Sequence, residues 1–162
     1  MSFFTDDSYF TGPPLTDQMT AAAQARLGVR LPQSYIALLS ERNGGVPERR
    51  CFPMKSATSW ASDHIEITGL RGIGGEWGID ATEGLGSADM IMEWNYPDIG
   101  VVICEMPSAG HDTVMLDYRE CGEEGEPAVA YVDEDRQIQQ IARTFSEFVD
   151  GLVSCDAFQR PI

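Results

Sequence analysis

The chain has 162 residues, of which 43% are hydrophobic and 23% are charged. These values are typical of a single soluble globular domain and exclude a disordered or fibrous chain. The net charge of -15 argues against binding to DNA, RNA or an anionic membrane and favours a basic protein partner. High negative charge also keeps a protein soluble, and the sequence alone leaves both roles open.

The N-terminal sequence MSFFTDDSYFTGPPL has neither a basic region nor a continuous apolar segment, so no signal peptide is predicted. No other segment approaches the roughly 18 apolar residues of a membrane span. The four cysteines are widely spaced without a C-x-x-C pair, which predicts reduced thiols and argues against structural zinc. We expect a cytoplasmic protein without metal or cofactor, with residues 1–15 as a flexible leader and 16–162 as a single domain.

Two short helices are predicted after the leader. Thr16 is placed to cap the first helix, DQMTAAAQARL, and Gly28 is placed to end it. Pro32 suits the first position of the second helix, and Asn43-Gly44-Gly45 supplies the left-handed turn that ends it. The two helices are expected to form an N-terminal layer of the fold.

The middle of the chain predicts a series of antiparallel strands. HIEITGL, residues 64–70, alternates between apolar and polar side chains, and a shorter strand is expected around residues 51–54. IGVVICE and DTVMLDY predict a hairpin, and AVAYV, residues 128–132, predicts a third strand. Residues 81–98 indicate irregular structure, although SADMIMEW is compatible with a short helix that places Met90, Ile91 and Trp94 on one face.

The clearest helical pattern is DRQIQQIARTFSEFVDGL, in which seven apolar residues recur at spacings of three and four. They are Ile138, Ile141, Ala142, Phe145, Phe148, Val149 and Leu152. The sequence therefore predicts an α+β fold: an antiparallel or mixed sheet, two N-terminal helices and a C-terminal amphipathic helix packed against the sheet.

Two segments carry residue types found in active sites. His111 precedes Asp112, but neighbours on a strand point to opposite faces, so His111 is predicted to end a turn where Asp112 accepts from backbone amides. RGIGGEWGID has four glycines after a predicted strand, but it lacks a lysine and a helix directly behind it. It predicts a tight connection between strands rather than a phosphate loop, and no catalytic residue is predicted.

Negative charge is the remaining candidate for function. Residues 110–135 contain nine carboxylates and one arginine, and this charge is predicted at one end of the sheet, with Asp133 to Asp135 starting the last helix. Solvated turns also carry such charge, which leaves a purely structural interpretation open. Trp77 between Glu76 and Asp80 is predicted to be an exposed recognition surface. The predicted partner-binding residues are Glu76, Trp77, Asp80, Glu120, Glu123, Glu124 and Glu126.

Several segments in a fixed order resemble the SUKH superfamily, also called the Smi/Knr family. They are LGVRLPQSYIALLSERNGG, ITGLRGIG, IGVVICEMPSAGHDTVMLDY and AYVDEDRQIQQIARTFSEFVDGL. The resemblance implies an α+β fold. It matches Asp112 and Asp117 to recurrent acidic positions of the family. It also implies architectural roles for the N-terminal signature residues Leu31, Pro32, Tyr35, Asn43 and Gly44.

The resemblance implies two functions. Many bacterial members look like immunity proteins that neutralise a co-encoded toxin, whereas fungal relatives act as regulatory scaffolds. We expect a non-enzymatic immunity protein whose partner is a toxin or other basic protein domain, with a housekeeping scaffold without a toxin partner as the alternative. A small hydrolase or metal-dependent enzyme is predicted by none of the motifs.

Overall fold

The computed structural model describes residues 2–58 and 61–158, and its helices and antiparallel sheets confirm the predicted α+β class. No helix of these residues has the length and apolar character needed to cross a membrane. The elements are α1 (Asp17–Leu27), α2 (Gln33–Glu41), β1 (Cys51–Pro53), β2 (His64–Glu66), β3 (Gly69–Leu70), α3 (Ser87–Trp94), β4 (Gly100–Val102), β5 (Cys104–Glu105), β6 (Thr113–Asp117), β7 (Ala128–Val132), β8 (Ile138–Ala142) and α4 (Phe145–Gly151).

The predicted ends of α1 are confirmed. The hydroxyl of Thr16 accepts a hydrogen bond from the Met19 amide at 3.2 Å, which satisfies one of the free N–H groups at the helix start. Gly28 ends the helix with a positive φ of 72°, a conformation that glycine adopts without steric cost. Pro32 was predicted to be the first residue of α2, but the helix begins one residue later, at Gln33.

The main sheet has four strands in the order β4-β6-β7-β8, and all neighbours are antiparallel. The predicted hairpin and third strand are therefore confirmed. The apolar run after β4 leaves this sheet at Ile103, whose amide donates to the Val114 carbonyl and whose carbonyl accepts from the Arg71 amide. The next residues, in β5, pair with β3 instead, and β1 and β2 form a third small antiparallel sheet.

Both faces of the four-stranded sheet are covered by apolar side chains. Val114, Leu116 and Tyr131 belong to the larger core cluster, which also includes side chains from α1, α2 and α4. Met115, Ala130 and Val132 belong to a second cluster, as expected because successive strand residues point to opposite faces. The second cluster is covered by α3, and the predicted apolar face of that helix is confirmed by Met90, Ile91 and Trp94.

The long helix predicted over residues 135–152 is wrong in its first half. Residues 138–142 form β8, and only Phe145–Gly151 are helical, capped by the Thr144 hydroxyl. A register shift opposite Val129 and Ala130 skips Ile141, and such a bulge places adjacent residues on one face. Ile141 and Ala142 both pack on the larger core. Together, the bulge in β8 and the apolar residues of α4 produce the spacing of three and four that is typical of a single amphipathic helix.

The N-terminal segment is packed against the fold, although the sequence predicts a flexible leader over residues 1–15. Phe4 and Phe10 are buried, and Phe4 forms an isolated bridge with Pro47. The guanidinium of Arg42 donates to the Thr5 carbonyl at 2.5 Å and to the Thr11 hydroxyl at 3.2 Å. Residues 2–15 therefore contribute side chains to the core and backbone contacts to the end of α2.

Two of the four cysteines form a disulfide, so the prediction of reduced thiols is wrong for this pair. Cys51 of β1 is bonded to Cys155, which follows α4 at a separation of 104 residues. Backbone hydrogen bonds between Cys51 and Val153 hold the two segments together. The spacing of cysteines in the sequence cannot reveal such a long-range contact. In the chain-entropy model, closing a loop of about 100 residues stabilises a fold by about 4.7 kcal/mol. Cys104 and Cys121 are free thiols.

Candidate partner-binding surface

Residues 120–126, which we call the acidic turn, connect β6 to β7. The side chains of Glu120, Glu123, Glu124 and Glu126 are all exposed. The backbone of the turn is nevertheless anchored, because the Arg30 amide donates to the Glu123 carbonyl at 2.7 Å. The neighbouring Tyr118 hydroxyl donates to the Arg30 carbonyl at 2.7 Å. The acidic turn therefore presents four carboxylates from a fixed position beside the connection between α1 and α2.

The charge of residues 110–135 is divided between two ends of the sheet, which corrects the prediction of one acidic end. Thr113 pairs with Val132 and Asp117 with Ala128, so the acidic turn and the β7–β8 turn lie at opposite ends. Asp133 does not start a helix. Its carboxylate instead accepts from the amides of Asp135 and Gln137 in the turn before β8.

His111 and Asp112 point in different directions, as the strand geometry predicts. His111 is exposed and its ring packs edge-on against Trp94. Asp112 is buried and accepts hydrogen bonds from the hydroxyls of Ser108 and Tyr131, each at 2.5 Å, rather than from the backbone amides predicted for it. The carboxylate therefore ties the loop before β6 to β7, and it does not orient the imidazole.

Asp117, the second recurrent acidic position, is also buried, and its carboxylate is paired with Arg119. Its carboxylate accepts from the Arg119 guanidinium at 2.7 and 3.0 Å and from the Arg119 amide at 3.0 Å. Burial acts to raise the pKa of the Asp117 carboxyl, but the Arg119 hydrogen bonds and charge outweigh it, so the pKa is lowered. Both recurrent acidic residues therefore serve the fold.

The glycine-rich connection after β3 is held by Asn43. The Asn43 side chain donates to the carbonyls of Pro13 and Ile73 and accepts from the Ile73 amide at 2.6–2.8 Å. A side chain at Gly72 would collide with Asn43, so this glycine is required by the close approach of two backbones. The segment is a tight structural connection, as predicted.

The predicted recognition residues of this connection have different environments. Glu76 is exposed, and Trp77 is half-buried because its ring packs against Tyr9 and Phe10 at 5.4 and 5.0 Å. Asp80 is half-buried and one of its oxygens accepts from the Gly74 amide at 2.8 Å. Asp80 therefore stabilises the connection. Trp77 shares its surface with Tyr9 of the N-terminal segment, a residue that the sequence analysis did not predict there.

Two concave surfaces flank α1. The first, which we call the turn groove, has a volume of about 800 Å³ and is lined by α1, the α1–α2 connection with Arg30, the start of α2, Glu123 and Glu124. The second, which we call the loop cleft, has a volume of about 620 Å³, and its lining includes Arg26 of α1 together with Glu76, Asp80 and Glu83. Glu123 and Glu124 therefore line the turn groove and Glu76 and Asp80 line the loop cleft, so the predicted partner-binding residues do not form one site.

A buried ion pair lies between β3, β5 and α3. The Arg71 side chain is completely buried and donates to Glu105, to the Leu85 carbonyl and to the Met90 sulfur. Burial lowers the pKa of the Arg71 guanidinium, while the charge of Glu105 opposes that shift. The Tyr35 hydroxyl donates to the Arg71 carbonyl at 2.6 Å. This cluster supports the fold. The buried ion pair of Arg71 and Glu105 was not indicated by the sequence analysis.

Three further groups with reactive side chains among the described residues are occupied or shielded. Cys51, Glu66 and Cys155 bring ligand atoms within 4.8 Å of one another, but the two sulfurs are bonded to each other. Burial raises the pKa of the Cys104 thiol well above its usual range. The imidazole of His64 stacks on Phe158 and contacts the Asp63 carboxylate at 2.8 Å.

The fold and the surface define a class: an acidic α+β protein whose candidate site is an exposed face around one helix. Residues 14–151 match the family model described as SMI1 / KNR4 family (SUKH-1). The chain therefore belongs to this family, and the resemblance drawn from its motifs is confirmed. Searches of curated proteins and of solved structures gave no significant match.

Proposed function

We propose that the protein is a non-enzymatic immunity protein that binds a basic toxin domain and blocks its active site by covering it. Family membership supports this proposal, because many bacterial members look like immunity proteins. The observation that carries it is the pair of acidic surfaces on the two sides of α1, formed by the acidic turn and the loop cleft. Together they present charge to a partner that contacts α1.

The charge of these surfaces suits association with a cationic domain. The four glutamates of the acidic turn are exposed and make no ion pair with described residues. Their field raises the association rate with a basic protein by roughly 10- to 1000-fold, and salt screens the effect. Burial of Asp112 and Asp117 withholds those two carboxylates from the partner.

Co-expression with the product of the adjacent upstream gene tests the proposal. We expect that product to arrest growth alone, to be tolerated with this protein, and to co-purify with it. A non-toxic product, or toxicity that persists at equal expression, would contradict the proposal. A stable complex with a non-toxic partner would instead favour the scaffold alternative.

Charge reversal identifies the contribution of the acidic turn. Glu123→Lys, Glu124→Lys and Glu126→Lys together should slow association with the toxin at least about tenfold and weaken its salt dependence. Stopped-flow measurements at two salt concentrations would detect both changes. The matched control is Glu93→Lys, Glu134→Lys and Asp135→Lys, three exposed carboxylates away from the acidic turn, which should alter the rate much less.

A further inference from the structure

Tyr9 is the most exposed aromatic side chain of the residues that the structure describes. Its exposed fraction is 65%, and Met92 is the only other large hydrophobic side chain in those residues that is classed as exposed. Tyr9 contacts Trp77 with ring centroids 5.4 Å apart, and each ring also contacts Phe10. The N-terminal segment and the glycine-rich connection therefore build one aromatic surface, which we call the aromatic pair (Tyr9 and Trp77).

Tyr9 packs on Phe10 and Trp77, yet most of its side chain remains exposed. The neighbouring Phe10 anchors the segment, since it is buried and packs so closely on Gly69 that a side chain there would collide with its ring. Tyr9 is held in place by its own backbone, because its amide donates to the Asp7 carboxylate at 2.9 Å and the turn closes from Thr11 to Ser8. An exposed aromatic ring with little freedom left to lose is well suited to anchor a partner.

The aromatic pair lies beside negative charge. Glu76 directly precedes Trp77 and is exposed, and it lines the loop cleft together with Asp80 and Glu83. Arg26 is the single basic residue of that lining. Asp7, which caps the turn of Tyr9, adds a further exposed carboxylate. An exposed aromatic ring close to carboxylates matches the guanidinium group of arginine, which stacks on rings and donates in pairs to carboxylates.

We propose that the aromatic pair and the loop cleft bind an arginine side chain presented by the basic partner. This proposal rests on the proposed function for the identity of the partner, but the site itself is defined by its own chemistry. The guanidinium stacks on the exposed ring of Tyr9, beside Trp77, and donates to Glu76, while the acidic turn on the other side of α1 steers approach. The two acidic groups therefore have different roles, one in recognition and one in association rate.

Capped tetra-arginine, tetra-lysine and tetra-glutamine peptides, titrated into the full chain, test the site without the partner. The chain has three tryptophans, so their indole N–H signals can be followed by NMR, with Trp77→Phe assigning the signal of interest. We expect the arginine peptide to shift the Trp77 signal, the lysine peptide to bind more weakly, and the glutamine peptide to leave it unchanged.

Tyr9→Ala is the decisive variant, because removing a largely exposed side chain leaves the buried Phe10 anchor intact. It should weaken arginine-peptide binding by about 3- to 30-fold. Glu76→Gln with Glu83→Gln should weaken binding and reduce its salt dependence. Met92→Ala removes the other exposed hydrophobic side chain, 85% exposed on α3, and is the matched control with unchanged binding.

Two results would overturn the arginine site: unchanged binding in Tyr9→Ala, or shifts confined to the acidic turn and the Trp94 indole. The outcome is separable from that of the proposed function. If the protein neutralises its toxin and Tyr9→Ala retains full affinity for that toxin, the site is wrong and the function stands. If Tyr9-dependent peptide binding occurs without toxin neutralisation, the site stands and the immunity function is wrong.

Discussion

The carboxylates in and beside the main sheet differ from those of the acidic turn in what surrounds them. Glu105, Asp112 and Asp117 each accept from another side chain of the protein: the buried Arg71 guanidinium, the Ser108 and Tyr131 hydroxyls, and the half-exposed Arg119 guanidinium. The four glutamates of the acidic turn are exposed, and only the backbone of their turn is held by the fold. The difference teaches that net charge along the sequence overstates the charge available to a partner.

The largest effect is expected where a carboxylate balances a buried charge. Glu105→Ala leaves the guanidinium of Arg71 in the core without its counter-charge, which should reduce the free energy of unfolding by about 3–5 kcal/mol. Urea denaturation would measure the loss. Glu93→Ala, at an exposed position of α3, is the control and should change stability by less than about 0.5 kcal/mol.

A double variant separates the ion pair from its environment. Arg71→Met with Glu105→Leu removes both charges, and replacing a buried pair by apolar residues of similar size is often neutral or stabilising. We therefore expect the double variant to recover most of the stability lost in Glu105→Ala. A double variant no more stable than the single one would show that the hydrogen bonds to Leu85 and Met90 matter more than the pair.

The second largest loss of stability is expected where Asp112 accepts hydrogen bonds from the Ser108 and Tyr131 hydroxyls. Asp112→Ala removes the acceptor of the Ser108 and Tyr131 hydroxyls, and loss of a buried acceptor should lower the free energy of unfolding by about 1–3 kcal/mol. Thermal denaturation would detect it. Asp135→Ala, exposed at the same end of the sheet, should have almost no effect. Equal losses in the two variants would remove the distinction between interior and exposed carboxylates.

How far the sequence predicts this molecule depends on the range of the interactions involved. Local signals were sufficient for the caps at Thr16 and Gly28 and for strands β6 and β7. The strand β8 was misassigned because its bulge reproduces a helical spacing. The Cys51–Cys155 bond was invisible to a local pattern for another reason, since it depends on residues 104 positions apart.

The candidate surface shows the same limit. Glu76 and the four glutamates of the acidic turn are exposed, as is common for turn residues, and their role in partner binding stays a prediction. Asp80 was selected as a recognition residue, yet the structure uses it to hold Gly74. The contact between Tyr9 and Trp77 could not be predicted, because it depends on contacts between segments distant in sequence, among them those of Asn43 with Pro13 and Ile73. An aromatic ring among acidic residues in the leader was the available signal.

A smaller effect, dependent on pH, is expected for Asp117. Its folded-state pKa lies below the ordinary value, so its stabilising contribution is complete above the unfolded pKa of about 3.9 and is lost as the pH falls through the folded pKa. Asp117→Asn should be less stable by about 1 kcal/mol at pH 7, since half-exposed Arg119 is screened by solvent. The two proteins should converge only when the pH has fallen below the folded pKa of Asp117, whereas a constant difference would assign the effect to packing.

The smallest effect on folding is expected in the acidic turn itself. Replacing Glu120, Glu123, Glu124 and Glu126 by glutamine keeps the backbone bond from Arg30 to residue 123 and relieves repulsion between like charges. Each substitution should change the free energy of unfolding by no more than about 0.5 kcal/mol, and their sum should be positive at low salt and vanish at high salt. A combined loss above about 2 kcal/mol in urea denaturation would mean that these carboxylates support the fold. In that case their removal could not report on partner binding, and the division between structural and available charge would fail at the acidic turn.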